Sequence, residues 1–175
     1  MQIIISDTSC LIDLRKVSLI EAFLQIPYEI AIPDVLFAEE LLSFTQDEKA
    51  LLQAGLKILS LSGKEIIRVQ SIARGNPKLT INDCFAFVLA ESLQNSILLT
   101  GDGGLRALAT ASMIEVHGVL WALDEMYNSR VIAPDRIYNA LLKYEADERV
   151  RLPRKEVKRL LENIEHFWTE SDYFY

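Results

Sequence analysis

Short apolar runs alternate along the chain with stretches of helical spacing. Ile3-Ile4-Ile5 reads as a buried strand, closed by a turn at Ser6-Asp7-Thr8-Ser9. Leu11, Ile12, Leu14 and Val17, then Leu19, Ile20, Phe23 and Leu24, recur at helical spacing. Tyr28 to Ile32 predicts a second strand. Pro33-Asp34 then starts a helix whose apolar face is Leu36, Phe37, Leu41 and Leu42. Leu56 to Leu61 predicts a third strand, and Ser62-Gly63 begins a helix running to about Arg74. Gly75-Asn76-Pro77 breaks the pattern. Thr80-Ile81-Asn82-Asp83 opens a strongly apolar helix through about Leu93. Ile97-Leu98-Leu99 predicts a fourth strand, ending in Thr100-Gly101-Asp102-Gly103-Gly104; Leu105, Leu108 and Ala109 continue as a helix. Met113 to Val116 predicts a short fifth strand. From Gly118 onward the pattern is helical, with Pro134 and Pro153 near helix starts.

Strands of this kind, apolar on every residue and separated by helices, imply an α/β fold with a parallel sheet covered on both faces. The crossovers between them are expected to be right-handed. Open α/β sheets bind ligands beyond the carboxyl ends of their strands. That edge is where candidate chemistry is sought.

Composition narrows the class. At 175 residues the chain has one domain's worth of sequence, half of it apolar and a quarter charged, as in an ordinary globular protein. No apolar run reaches the ~18–20 residues of a membrane span. The opening MQIIISD lacks the basic flank of a signal peptide. The expectation is a cytoplasmic protein whose two cysteines, Cys10 and Cys84, are reduced and serve as small core hydrophobes. With 18 Lys and Arg against 25 Asp and Glu, the net charge of −7 argues against indiscriminate nucleic-acid binding, which rests on neutralising phosphates. It leaves room for a nuclease, which uses carboxylates to hold metal ions. Half of the basic residues fall between Arg130 and Arg159, a pattern that a solvated helical surface also explains.

The acids at the strand ends carry the candidate chemistry. Asp7 follows the first strand directly, and Asp102 lies three residues past Leu99. Glu39 and Glu40 sit on the helix after the second strand, and Asp83 opens an otherwise apolar helix. Singly, each has a plain explanation as a turn or capping residue. Gathered at one edge they would repel one another unless a cation joined them. Oxygen ligands with no Cys or His cluster suit Mg²⁺ or Mn²⁺. Such ions polarise a phosphoryl oxygen and lower the pKa of a bound water, which suits phosphodiester hydrolysis. Thr8, Ser9 and Thr100 stand beside these acids with hydroxyls able to orient them, and Ser9 is equally placed to cap a helix. Asn82 precedes Asp83 and is placed to cap its helix or to touch substrate. Lys78 and Arg106 flank the acidic edge; surface solvation accounts for both.

These segments resemble the PIN-domain family. Ile3-Ile4-Ile5-Ser6-Asp7-Thr8-Ser9 is similar to the family's opening motif. Ile32-Pro33-Asp34-Val35-Leu36-Phe37-Ala38-Glu39 resembles the second, Thr80-Ile81-Asn82-Asp83 the third, and Leu98-Leu99-Thr100-Gly101-Asp102 the fourth. The tail from His117-Gly118-Val119-Leu120, with Leu152-Pro153 before the last helix, resembles the VapC-like branch with a C-terminal helical extension. The resemblance implies a three-layer α/β/α sandwich with a central parallel sheet of four to five strands. It implies a catalytic unit over residues 1–130 and a helical extension over 131–175 packed on the same domain. It implies Asp7, Glu39, Asp83 and Asp102 as ligands of one or two Mg²⁺ or Mn²⁺ ions, with Glu40 as the alternative to Glu39. Counting from Pro33 favours Glu39. The implied activity is hydrolysis of RNA by a metal-activated water, in the setting of a toxin with an antitoxin protein as partner.

Two other classes compete. A PIN-like scaffold would bind RNA or protein without cutting. A phospho-receiver domain also carries acids at strand ends, but needs an acidic pair after the first strand, and Asp7 has no acidic neighbour. Finally, Phe167, Trp168, Tyr173, Phe174 and Tyr175 crowd the carboxyl end. Aromatic anchors of this sort predict packing at a homodimer or partner contact.

Overall fold

The computed structural model describes residues 2–147, 150 and 152–171, and for 165–171 the course of the helix only. Five parallel strands form one sheet: β1 (Ile3–Ser6), β2 (Glu29–Pro33), β3 (Lys57–Leu59), β4 (Ser96–Leu99) and β5 (Glu115–His117), in the spatial order β3-β2-β1-β4-β5. The chain steps outward from β1 to β3, then returns to the other side of β1 for β4 and β5. The sheet therefore reverses direction between β1 and β4. In such sheets that reversal opens a crevice at the carboxyl ends of the strands.

Burial follows strand position. In β1, Ile4 and Ile5 are fully buried, as are Ile97, Leu98 and Leu99 in β4. The edge strands are shorter and more polar, with exposed Lys57 in β3 and exposed Glu115 in β5. Uncharged centre and charged margins are what a covered parallel sheet with protected edges requires.

Between the strands run α1 (Thr8–Lys16), α2 (Ile20–Phe23), α3 (Asp34–Glu39), α4 (Gln46–Gly55), α5 (Gly63–Gly75), α6 (Ile81–Ser92) and α7 (Gly103–Ala111). With right-handed crossovers, the outward step places α1, α2 and α4 on one face and the return places α5, α6 and α7 on the other. α6 packs on β1, β2 and β4, and its Cys84, Ala86 and Phe87 are fully buried. On the opposite face α8 (Val119–Asn128) packs on α1 and α2. The architecture is the expected α/β sandwich, with five strands.

Beyond α8, α9 (Pro134–Ala146) and α10 (Arg154–Ser171) pack on each other, and α9 on α8. Their Ile137, Leu141, Tyr144, Val157 and Leu161 belong to the same apolar core as the sheet. The Tyr144 hydroxyl donates to the Asp13 carbonyl at 2.8 Å, tying α9 to α1. The side chains of the aromatic carboxyl end lie outside the described residues.

Two local differences from the sequence pattern have clear causes. The helical spacing from Leu11 to Leu24 is broken at Ser18, whose φ of 58° turns the chain between α1 and α2. The helix begun at Asp34 stops at Glu39; Leu41–Ser43 forms one 3₁₀ turn, and Leu42 is 75% exposed rather than part of an apolar face. α4 then follows. Its start is marked by a capping box in which Thr45 and Glu48 bond each other's backbone N–H.

Candidate active site

β1 delivers Asp7 at the crevice between β1 and β4. The Asp7 amide donates to the Leu99 carbonyl at 2.9 Å, which seats it against the end of β4. Asp7 occupies the N-cap position of α1 yet makes no side-chain capping bond. Its carboxylate is instead held by hydroxyls. Ser9 Oγ donates to Oδ2 at 2.8 Å and Thr100 Oγ1 to the same oxygen at 2.9 Å. The side chain is only 5% exposed. Burial is the main cause pushing its pKa above the usual carboxylate range; the two hydroxyl bonds oppose that, and the negative fields of Asp83 and Glu40 add to it.

Thr100 and Ser9 link this carboxylate to the next acid. Thr100 Oγ1 also accepts from the Asp102 amide at 3.0 Å, and Ser9 Oγ accepts from the Gly101 amide at 3.0 Å. The loop after β4 is thus pinned to the loop after β1. Asp102 caps α7, its Oδ1 accepting from the Leu105 amide at 2.7 Å. Asp83 makes a capping box with Thr80: Oδ2 accepts from the Thr80 amide at 2.7 Å. For Asp83 and Asp102 the capping role is real. Each uses one oxygen on the backbone, which fixes the carboxylate and leaves the second oxygen without a protein partner among the described residues.

Glu39 and its alternative Glu40 are placed differently. Glu39, the last residue of α3, is exposed, and its side chain has no hydrogen bond among the described residues. Glu40 lies where α3 gives way to the 3₁₀ turn. Thr8 Oγ1 donates to Glu40 Oε2, and Asn82 Nδ2 donates to Glu40 Oε1 at 2.8 Å. Glu40 thus bridges α1 and α6 beside Asp7. Asn82 does not cap α6, because Thr80 does. Likewise α1 begins at Thr8, so Ser9 serves Asp7 rather than a helix start. The available signal for Glu40 was the end of the helix: the turn at Leu41 brings the residue after the last helical one inward.

None of Asp7, Glu40, Asp83 or Asp102 forms an ion pair with Lys, Arg or His among the described residues. The donor set is carboxylate oxygen throughout, the chemistry of a hard divalent cation. Among the described residues no group of three or more acids, cysteines or histidines is already gathered as a metal cage. The fit to such an ion thus rests on the chemistry of the donors and on their common edge of the sheet.

A family profile described as a PIN domain matches residues 3–166. The chain belongs to the PIN-domain family. The match spans the sheet, the acidic crevice and most of the C-terminal helices. A comparison with curated proteins finds no match. The PIN fold is a nuclease fold. No helix among the described residues is long and apolar enough to cross a membrane.

Proposed function

We propose that this PIN domain is a metal-dependent endoribonuclease whose working acids are Asp7, Glu40, Asp83 and Asp102. One observation supports it above the rest: Asp7 is a buried carboxylate beside two further anions, with no cation paired to any of them. Burying Asp7 within the field of like charges costs stability, and a structural core gains nothing by it. A binding scaffold would need no such arrangement.

In this reading those four carboxylates would hold Mg²⁺ or Mn²⁺, Asp83 and Asp102 through the oxygen not used in capping. When bound, such an ion polarises a phosphoryl oxygen and lowers the pKa of a bound water. The chain's own residues do the positioning. Ser9 and Thr100 fix the Asp7 carboxylate, and Thr8 and Asn82 fix Glu40. The capping bonds at Thr80 and Leu105 fix Asp83 and Asp102. Hydrogen bonds of this kind orient metal ligands and tune their basicity. The setting of a toxin restrained by an antitoxin, and a homodimer using the aromatic carboxyl end, belong to the same reading.

The test is cleavage of short single-stranded RNA with Mn²⁺ or Mg²⁺, with Asp7→Asn alongside. Metal-dependent cutting lost in the variant supports the proposal. Cutting that survives Asp7→Asn places the activity elsewhere, and no cutting of any RNA favours the scaffold.

A further inference from the structure

Next to the acids lies a groove of about 740 Å³, walled by α1, α7, β5, α8 and the start of α10. That is within the ~300–1,000 Å³ of ordinary ligand sites. Asp102 and Ser9 line it at one end, so it is continuous with the acidic crevice. Two aromatic rings form part of its wall. His117 and Trp121 are stacked, with ring centres 4.4 Å apart and planes at 13°. Both rings are held in place. Tyr28 meets Trp121 edge-on at 5.8 Å, and His117 Nε2 lies 2.8 Å from Glu115 Oε1.

The charge in the groove is equally specific. Arg106, on α7, reaches back across Gly118 to the strand ends, where its Nη2 donates to the Thr100 carbonyl at 3.3 Å. A Cβ at position 118 would stand 2.9 Å from that nitrogen, so glycine leaves the path open. Arg106 has no carboxylate partner among the described residues. The other charged groups lining the groove are acids, and two of them are paired: Asp13 with Lys16 and Glu156 with Arg159. Arg106 Nη1 also donates to the Val116 carbonyl at 3.5 Å, so among the described residues lining the groove the one Lys or Arg is held by carbonyls alone, its charge unmatched by a carboxylate, beside a stacked ring pair and a few residues from the proposed metal ligands.

We propose that this groove seats one unstacked nucleotide of single-stranded RNA, its base against the His117–Trp121 pair and a neighbouring phosphate at Arg106. Aromatic faces bind bases of any sequence, and a guanidinium suits the phosphate. The geometry sets the strand's register: a base held there leaves the adjoining backbone running past Asp102 toward Asp7. The inference rests on the nuclease reading for its substrate class, but its contacts are separate from the acids.

The test uses the full chain carrying Asp7→Asn, so that RNA stays intact, and a fluorescein-labelled eight-nucleotide single strand. Trp168→Phe makes Trp121 the only tryptophan, since the chain has two. RNA is expected to quench its emission. Trp121→Leu is expected to weaken binding by roughly 5- to 150-fold, while Trp121→Phe keeps most of it. Arg106→Gln should weaken binding and lower the salt dependence by about one phosphate contact. A strand of abasic ribose phosphates should bind equally with Trp121 or Leu at that position. Thermal melts of each variant confirm folding, and the Phe variant separates a lost stack from lost structure. Unchanged affinity in Trp121→Leu, or emission unmoved at saturating RNA, overturns the subsite. Metal-dependent cleavage by the unmodified chain in that case leaves the nuclease reading standing. Trp121-dependent binding by a chain that cuts no RNA supports the subsite and overturns the nuclease reading. Neither binding nor cutting overturns both.

Discussion

Thr100 donates its hydroxyl hydrogen to Asp7 across 93 positions of sequence, and the 2.9 Å bond spans the crevice between the ends of β1 and β4. The same oxygen receives the Asp102 amide, so one buried hydroxyl orients two acids. Thr100→Val keeps the shape and removes both bonds. We expect a loss of about 1–3 kcal/mol in stability, from a buried charge left with one partner fewer. Activity should fall by roughly 10- to 100-fold, as when other groups that orient metal ligands are lost. Denaturant melts and RNA-cleavage rates at matched protein concentration check the two effects separately.

Glu40 and Glu39 can be told apart directly. Glu40→Gln should lower kcat/KM for RNA by at least about 10-fold, while Glu39→Gln should stay within about twofold. The reverse ranking would return the second acidic position to Glu39 and leave the Thr8 and Asn82 bonds to Glu40 as purely structural.

Asp7 makes stability depend on pH and on metal. Its folded-state pKa is raised, chiefly by burial. The native state thus binds the proton more tightly than the unfolded chain, and stability contributed by this group falls as pH rises from about 4 through the folded pKa. Without metal at neutral pH, Asp7→Asn should therefore melt about 2–4 °C higher, the shift that ~1 kcal/mol gives a chain of this size. The advantage should shrink as pH falls toward about 4. Adding Mn²⁺ should raise the melting temperature of the unmodified chain but not of the variant. Melting curves across pH with and without the ion read out both signs.

The two thiols should be silent. Cys10 and Cys84 are at most 1% exposed, and burial pushes both pKa values up. A thiol reagent at pH 8 should modify neither until denaturant is added. Rapid modification in native buffer would show that the layer beneath the acids opens easily.

The strands were legible because all-apolar runs such as Ile3-Ile4-Ile5 and Ile97-Leu98-Leu99 have no other stable place than the centre of a covered sheet. Asp7, Asp83 and Asp102 were legible as candidates because a strand end or helix start announces itself in sequence. Which of Glu39 and Glu40 turns inward was not, because the last turn of α3 depends on how Leu41 and Leu42 divide between core and solvent: Leu41 is buried and Leu42 is 75% exposed. Two adjacent leucines carry no sign of that choice. α4 was missed although Thr45 and Glu48 have the spacing of a capping box. The pairing of His117 was not legible either, because its partner is an aromatic ring four residues on, a relation that the start of α8 creates.

Calorimetric titration with Mn²⁺ tests the shared pocket most directly. The unmodified chain should take up one or two ions with measurable heat, and Asp7→Asn should lose that binding. Equal affinity in both proteins would contradict the proposal that Asp7, Glu40, Asp83 and Asp102 act on a common cation.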